Sequence, residues 1–82
     1  MSKRDIRRHL QRQYIRNELE LGWTLIRLAE IELGRGNQTQ AAEAAAKARK
    51  AYEVLEENLS LVRELGLERD LRDLERHGSF PK

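Results

Sequence analysis

Few side chains in this 82-residue sequence have the types and spacing that chemistry requires. The sequence has no cysteine, which excludes disulfides, thiolate metal ligands and a thiol nucleophile. Its two histidines, His9 and His77, are not placed by any motif that would pair them with a serine or threonine hydroxyl. The segment Gly34-Arg35-Gly36 is too short to form a phosphate-binding glycine loop. We therefore predict no catalytic residue, no cofactor and no enzymatic activity.

One group of metal-ligand residue types shares a predicted helix face. Asp70, Asp73 and His77 follow one another at spacings of three and four, so they would present two carboxylates and an imidazole to a divalent metal. The same spacing is common on the surface of any charge-rich helix, and a histidine in the last turn also interacts favourably with the helix dipole. We therefore predict a solvated helix end here and no metal site.

Charge is distributed unevenly along the chain. Residues 1–16 contain six basic residues and one aspartate, a net charge of +5, whereas residues 53–76 contain eight acidic and four basic residues, a net charge of −4. Every fourth residue of the basic segment is an arginine, at Arg4, Arg8, Arg12 and Arg16. Such a stripe would suit nucleic-acid phosphates. No aromatic or glycine pattern of a nucleic-acid module accompanies it, so this is the alternative interpretation.

The preferred interpretation of these charges is an intramolecular one. In an antiparallel hairpin that turns near Gly36, the basic start of the first helix lies beside the acidic end of the second. We expect Arg16 to face Glu56 or Glu57, and Arg12 to lie near Glu64. Each exposed ion pair contributes only about 0–1 kcal/mol, but the set would favour antiparallel alignment.

The elements that would position these residues are all helical. Thirteen leucines and eight alanines dominate the hydrophobic residues, which make up 39% of the chain, and this composition favours helices over sheets. Glycines and capping residues mark the boundaries: Ser2 with Asp5, Gly34, Gly36, Asn37 with Gln40, Gly66 and Gly78. We predict one all-α domain, with a helix over about 3–33, a turn over 34–37, a helix over about 38–65, a short third helix over about 67–77 and a tail over 78–82.

The second helix has the most regular hydrophobic pattern in the chain. Its apolar residues alternate spacings of four and three without interruption: Ala41, Ala45, Ala48, Tyr52, Leu55, Leu59 and Val62. This spacing is typical of a seam that packs against another helix. Because the first half is alanine and the second half is large, we expect the hairpin to be tight near the turn and wider at its open end, where Leu67, Leu71 and Leu74 of the third helix would cover it.

The first helix has two apolar stripes. We assign the longer one to the inside of the hairpin: Ile6, Leu10, Tyr14, Leu21, Leu25 and Leu28. The second stripe would remain exposed and form an interface: Ile15, Leu19, Ile26 and Leu33, with Trp23 beside it. Further apolar residues of the second helix lie off its seam: Ala44, Ala51, Val54 and Leu61. Because monomers rarely expose such a strip, we predict a homodimer that forms a helical bundle, or binding to another helical protein.

The hairpin from Leu25 to about Glu53 resembles a single tetratricopeptide repeat, a 34-residue helix–turn–helix unit with small residues where its helices cross. The residues that carry the resemblance are Leu28, Ala29, Gly36, Ala41 and Ala48. The sequence departs from the family pattern at Leu25, Glu32 and Ala45, where aromatic residues are usual, and at Glu53 in place of a closing proline. The resemblance implies a tetratricopeptide-like hairpin with a role in protein–protein interaction.

The sequence also bears on location. Residues 1–5 lack an apolar run after their charges, and apolar stretches do not exceed three residues, far below the ~20 that a membrane helix needs. We expect a soluble, cytoplasmic protein without membrane contact.

Overall fold

A computed structural model of the chain describes residues 3–80, and within that range it contains four helices and no strand. The helices are α1 (Lys3–Gly34), α2 (Gln38–Glu57), α3 (Leu59–Glu64) and α4 (Glu68–Gly78). The long helix α1 packs antiparallel to α2, and α4 packs against both. The predicted all-α fold, a long antiparallel hairpin followed by short C-terminal helical structure, is confirmed.

Glycines end two of the helices by adopting the left-handed conformation. At the end of α1, Gly36 has a φ of +80°, its amide donates to the carbonyl of Leu33, and the amide of Asn37 donates to the carbonyl of Glu32. This pair of bonds is a Schellman motif, which satisfies carbonyls that have no partner within the helix. Gly66, with a φ of +72°, ends α3 in the same way. The predicted helix ends at these glycines are confirmed.

The start of α2 differs from the prediction. Asn37 occupies the N-cap position, but its side chain makes no capping hydrogen bond. Its Nδ2 instead donates to Oε2 of Glu32 at 2.7 Å, so the side chain ties the turn back to α1. The predicted cap by Asn37 is therefore wrong, because the charge-assisted bond from Nδ2 to Glu32 holds the side chain towards α1. The predicted cap by Ser2 lies outside the described residues.

The predicted helix over residues 38–65 is interrupted at Asn58. This residue leaves the helical conformation, with φ −116° and ψ 33°, and separates α2 from α3. Its Nδ2 donates to the carbonyl of Val54 at 2.8 Å, and its amide donates to the carbonyl of Leu55. Asparagine side chains compete in this way with the regular hydrogen bonds of a helix. The single helix predicted here was wrong, although the seam residue Val62 beyond the break is buried.

The core lies along the inside of the hairpin and under α4. Its buried residues come from all four helices: Ile15, Leu19, Ile26, Ala48, Tyr52, Leu55, Val62, Leu71 and Leu74. The predicted seam of α2 is largely confirmed, but Ala45 is exposed and Ala44 and Ala51 are buried in its place. The buried alanines lie towards the closed end of the hairpin, whereas the larger buried residues lie towards its open end and α4.

Gly22 allows α4 to approach α1 closely. A Cβ atom at this position would lie 3.0 Å from Cδ2 of Leu74 and 3.8 Å from Cβ of Ala51. Leu74 is completely buried, so its side chain occupies the space that a larger residue at position 22 would need. Gly22 therefore permits a close approach that joins α1, α2 and α4 at one point.

A network of polar side chains also attaches α4 to α2. The Tyr52 hydroxyl donates to Oε2 of Glu75 at 2.5 Å, and Nη1 of Arg72 donates at 2.6 Å to both Glu75 and Oε1 of Glu56. Burial, followed by the hydrogen bond to Glu75, raises the pKa of the Tyr52 hydroxyl, and the hydrogen bond to Glu56 raises the pKa of Arg72. The ring of Phe80 stacks on Tyr52 with a centroid distance of 5.1 Å.

Filling the space at Gly22 should displace α4. We expect Gly22→Val to lower the free energy of unfolding by about 1–3 kcal/mol, because the added methyl groups overpack the buried Leu74 side chain. Gly34→Val is the matched control, since nothing lies within 4 Å of a Cβ at that helical glycine. Urea unfolding followed by circular dichroism measures both. Equal effects of the two substitutions would contradict the close contact.

The raised pKa of Tyr52 predicts a loss of stability in alkali. Its hydroxyl stays protonated in the folded chain at pH values where the unfolded chain ionises, near pH ~10. The stabilisation is therefore complete below that pH and decreases as the pH rises above it. We expect Tyr52→Phe to be less stable than the parent at pH 8, and to lose less further stability between pH 8 and pH ~11. Parallel stability curves for the two proteins would contradict this assignment.

Candidate interaction surface

The exposed large hydrophobic residues within residues 3–80 are concentrated on a single helix. All of them belong to α1, with exposed fractions from 43% to 61%: Ile6, Leu10, Tyr14, Leu21, Leu28, Ile31 and Leu33. By contrast, the large hydrophobic residues of α2, α3 and α4 are buried or half-buried. An apolar surface that stays exposed along a whole helix is a candidate for binding another molecule.

Most of this surface forms one continuous face. Seven exposed residues of α1 follow spacings of four and three: Leu10, Tyr14, Asn17, Leu21, Thr24, Leu28 and Ile31. At 3.6 residues per turn they lie within about a third of the helix circumference, opposite Ile15 and Ile26 of the core, and they run for about 32 Å. We call these seven residues the outer face. Its spacing is that of a helix–helix seam, with polar residues at two of its seven positions.

An open groove between α1 and α2 borders the outer face. Apolar side chains from both helices line it, with charged residues at its rim: Leu21, Leu25, Ala51 and Val54, with Glu18, Lys47 and Lys50. Towards the turn it continues past Leu28 to Glu32, beside Gln40, Glu43 and Ala44. The opposite side of the hairpin is covered by α4, where the Trp23 and His77 rings make an edge contact at 5.1 Å. The hairpin therefore has one covered side and one open side.

The predicted interface stripe proves to be mostly the core. Ile15, Leu19 and Ile26 are buried within the chain, at most 8% exposed. Trp23 is half-buried beside His77, and only Leu33, in the last turn of α1, is well exposed. The assignment of the two α1 stripes was therefore reversed. The chain buries the stripe that contains Gly22, because only a small residue there permits the contact with Leu74.

The residues that sequence reasoning placed wrongly are those of the outer face. Leu10, Tyr14, Leu21 and Leu28 were assigned to the inside of the hairpin, and all four are exposed. Ile31 was not assigned to either stripe. The signal that distinguishes the two stripes is the glycine at position 22, since a small residue at a helix crossing marks the face that another helix approaches.

The arginines of the first helix have different environments. Nη2 of Arg12 lies 3.4 Å from Oε1 of Glu64, which confirms the pairing predicted for it. Glu56 is bound by Arg72, so the predicted pairing of Arg16 with Glu56 is wrong, and no ion pair between Arg16 and Glu57 is found among residues 3–80. Arg4, Arg8 and Arg16 are exposed.

Asp73 and His77, near the end of α4, contact other side chains instead of forming a metal site with Asp70. Asp73 is paired with Arg76, and the His77 ring packs against Trp23. Trp23, Asp73, Arg76 and His77 line a shallow depression there. Among residues 3–80, no three side chains of histidine, aspartate or glutamate are grouped so that they would hold a metal ion. Asp70, Asp73 and His77 are therefore not brought together as a ligand set.

Comparisons of the chain with known protein families, with curated proteins and with solved structures give no match. The resemblance to a tetratricopeptide hairpin therefore stays a prediction from the sequence. None of the helices within residues 3–80 is long and apolar enough to cross a membrane. The exposed apolar residues of α1 are therefore the basis on which a function can be proposed.

The two stripes of α1 should respond differently to truncation. We expect Ile15→Ala to lower the free energy of unfolding by about 2–5 kcal/mol, because it leaves a cavity in the core. Leu21→Ala, on the outer face, should lower it by less than about 1 kcal/mol. Urea titrations at the lowest workable protein concentration keep any contribution from association small. A larger cost at Leu21 than at Ile15 would mean that the core had been assigned to the wrong stripe.

Proposed function

We propose that this protein is a non-catalytic interaction module, and that the outer face of α1 binds a helix of another protein molecule. The observation that carries the proposal is the confinement of the exposed large hydrophobic residues of the described chain to α1. A random scatter of such residues is normal on any protein surface, but a row along one helix is not.

The chemistry of the outer face supports a helical partner. Leucine, isoleucine and tyrosine at alternating spacings of four and three form the ridge that packs into the groove of a neighbouring helix. The open groove beside it adds Leu25 and Val54 to the apolar surface, while Lys47 and Lys50 provide charges at the rim. An apolar centre with a polar rim is the usual composition of a protein–protein interface.

The proposal of a non-catalytic role rests on the side chains that the chain offers. Without cysteine, and with histidines that no motif places beside a hydroxyl, the sequence lacks an obvious nucleophile and base. The part-buried network of Tyr52, Arg72 and Glu75 has a structural explanation, since it attaches α4 to α2.

Nucleic-acid binding through Arg4, Arg8, Arg12 and Arg16 is the second candidate. The exposure of Arg4, Arg8 and Arg16 favours it. The pairing of Arg12 with Glu64 weakens it, because one of the four guanidinium groups already binds a carboxylate of the same chain. Binding to duplex DNA or RNA that falls steeply with salt concentration would favour this candidate.

Site-specific photo-cross-linking in the native cells tests the proposed function. A benzophenone amino acid replaces Leu21 or Leu28 on the outer face, or Ala46, an exposed residue of α2, as the control. We expect irradiation to give a discrete, protease-sensitive adduct from positions 21 and 28 and none from position 46, because only the outer face touches the partner.

Two results would contradict the proposed function. The first is the absence of adducts at positions 21 and 28, or equal adducts at all three positions. The second is an adduct that nuclease removes and protease does not, which would favour the nucleic-acid candidate instead.

A further inference from the structure

The charge of α1 changes sign along its length. Residues 3–16 contain six basic residues and one aspartate, a net charge of +5, whereas residues 17–34 contain four glutamates and one arginine, a net charge of −3. The outer face spans both halves, from Leu10 in the basic half to Ile31 in the acidic half. A helix that docks along the whole outer face therefore needs the opposite arrangement, acidic at one end and basic at the other.

The order of polar and apolar residues along the outer face is the same in both directions from Leu21. From Leu21 outwards on either side, it contains one polar residue, Asn17 or Thr24, and then two apolar residues. In a second copy of α1 that runs antiparallel and crosses near Leu21, Leu10 would lie opposite Ile31, Tyr14 opposite Leu28, and Asn17 opposite Thr24. Apolar residues would meet apolar residues, and the two polar side chains would meet each other.

We propose that the partner of the outer face is a second copy of this chain, with the two α1 helices antiparallel about a two-fold axis near Leu21. This inference rests on the proposed function, because it names the occupant of the same surface. Charge and polarity select the same arrangement. Antiparallel alignment about Leu21 puts residues 8–16 of each α1, net charge +3, beside residues 26–34 of the other, net charge −1, and it pairs the apolar positions.

Parallel alignment of the two α1 helices is unfavourable because of their charges. It would place the two +5 halves side by side over about 20 Å, where like charges repel. Antiparallel helices also align their dipoles favourably. A two-fold axis uses the same surface on both molecules, so the pairing closes at two copies and leaves neither outer face free.

The test uses cysteine cross-linking, which the absence of native cysteines makes specific. Three single variants place a thiol on the outer face: Leu21→Cys at the axis, and Tyr14→Cys and Leu28→Cys on either side of it. Ala46→Cys, on the exposed side of α2, is the control. Each variant is treated alone with a short bismaleimide, and Tyr14→Cys is also treated after mixing with Leu28→Cys. Sedimentation of the parent at micromolar concentration measures its mass.

We expect the parent to sediment at twice the chain mass of 9.6 kDa. Leu21→Cys should give a covalent dimer. Tyr14→Cys and Leu28→Cys should give no more than the Ala46→Cys control when each is alone, because equivalent thiols would lie about 21 Å apart. Their mixture should give a covalent dimer. Circular dichroism of each variant confirms that it is folded.

Two results would overturn the inference in different ways. Efficient cross-linking of Tyr14→Cys and Leu28→Cys each with itself would show parallel pairing and overturn the antiparallel axis. A parent that sediments at 9.6 kDa, without a Leu21→Cys dimer, would overturn the second copy as the partner. In that case, a photo-adduct with a different protein at positions 21 and 28 would leave the proposed function intact, whereas the absence of an adduct would overturn both.

Discussion

Small side chains where α1, α2 and α4 meet determine how closely these helices approach one another. Gly22 and Ala51 leave the space that the fully buried Leu74 side chain occupies. Once this contact is made, α4 covers one side of the hairpin, and the network of Tyr52, Arg72 and Glu75 fixes it from the adjacent turn. The same contact decides which stripe of α1 faces inwards, and hence which stripe stays exposed.

The parts of the fold that could be predicted are those that local pattern determines. The 4-3 spacing from Ala41 to Val62 indicates a packed helix, and Gly36 and Gly66 end helices because they adopt positive φ readily. The orientation of α1 could not be predicted in this way, because both of its stripes are apolar at helical spacing. The choice between them depends on the position of α4, and the one local mark of that tertiary contact is Gly22 on the buried stripe.

Two asparagine side chains also form hydrogen bonds that depend on tertiary structure. Asn37 and Asn58 both have short amide side chains that bond to whichever acceptor lies nearby. Sequence identifies such residues as helix caps, but in the fold Asn37 donates to the Glu32 carboxylate and Asn58 donates to the Val54 carbonyl. The partner of each amide depends on the path of the preceding helix. The interruption of the second helix at Asn58 could not be seen in its hydrophobic pattern, because the spacing continues unbroken across it.

The difference in length between α1 and α2 has a consequence for conformational entropy. α1 has 32 residues and α2 has 20, and every residue from Lys3 to Gln11 is exposed. The first turns of α1 thus bury none of their side chains, and the ends of helices fray when no packing holds them. These turns open more readily than the rest of α1. A partner that covers Leu10 must hold them helical, and the entropy lost in doing so reduces its affinity. The reach of α1 beyond the hairpin therefore enlarges the exposed apolar surface at a cost in the local stability of the helix.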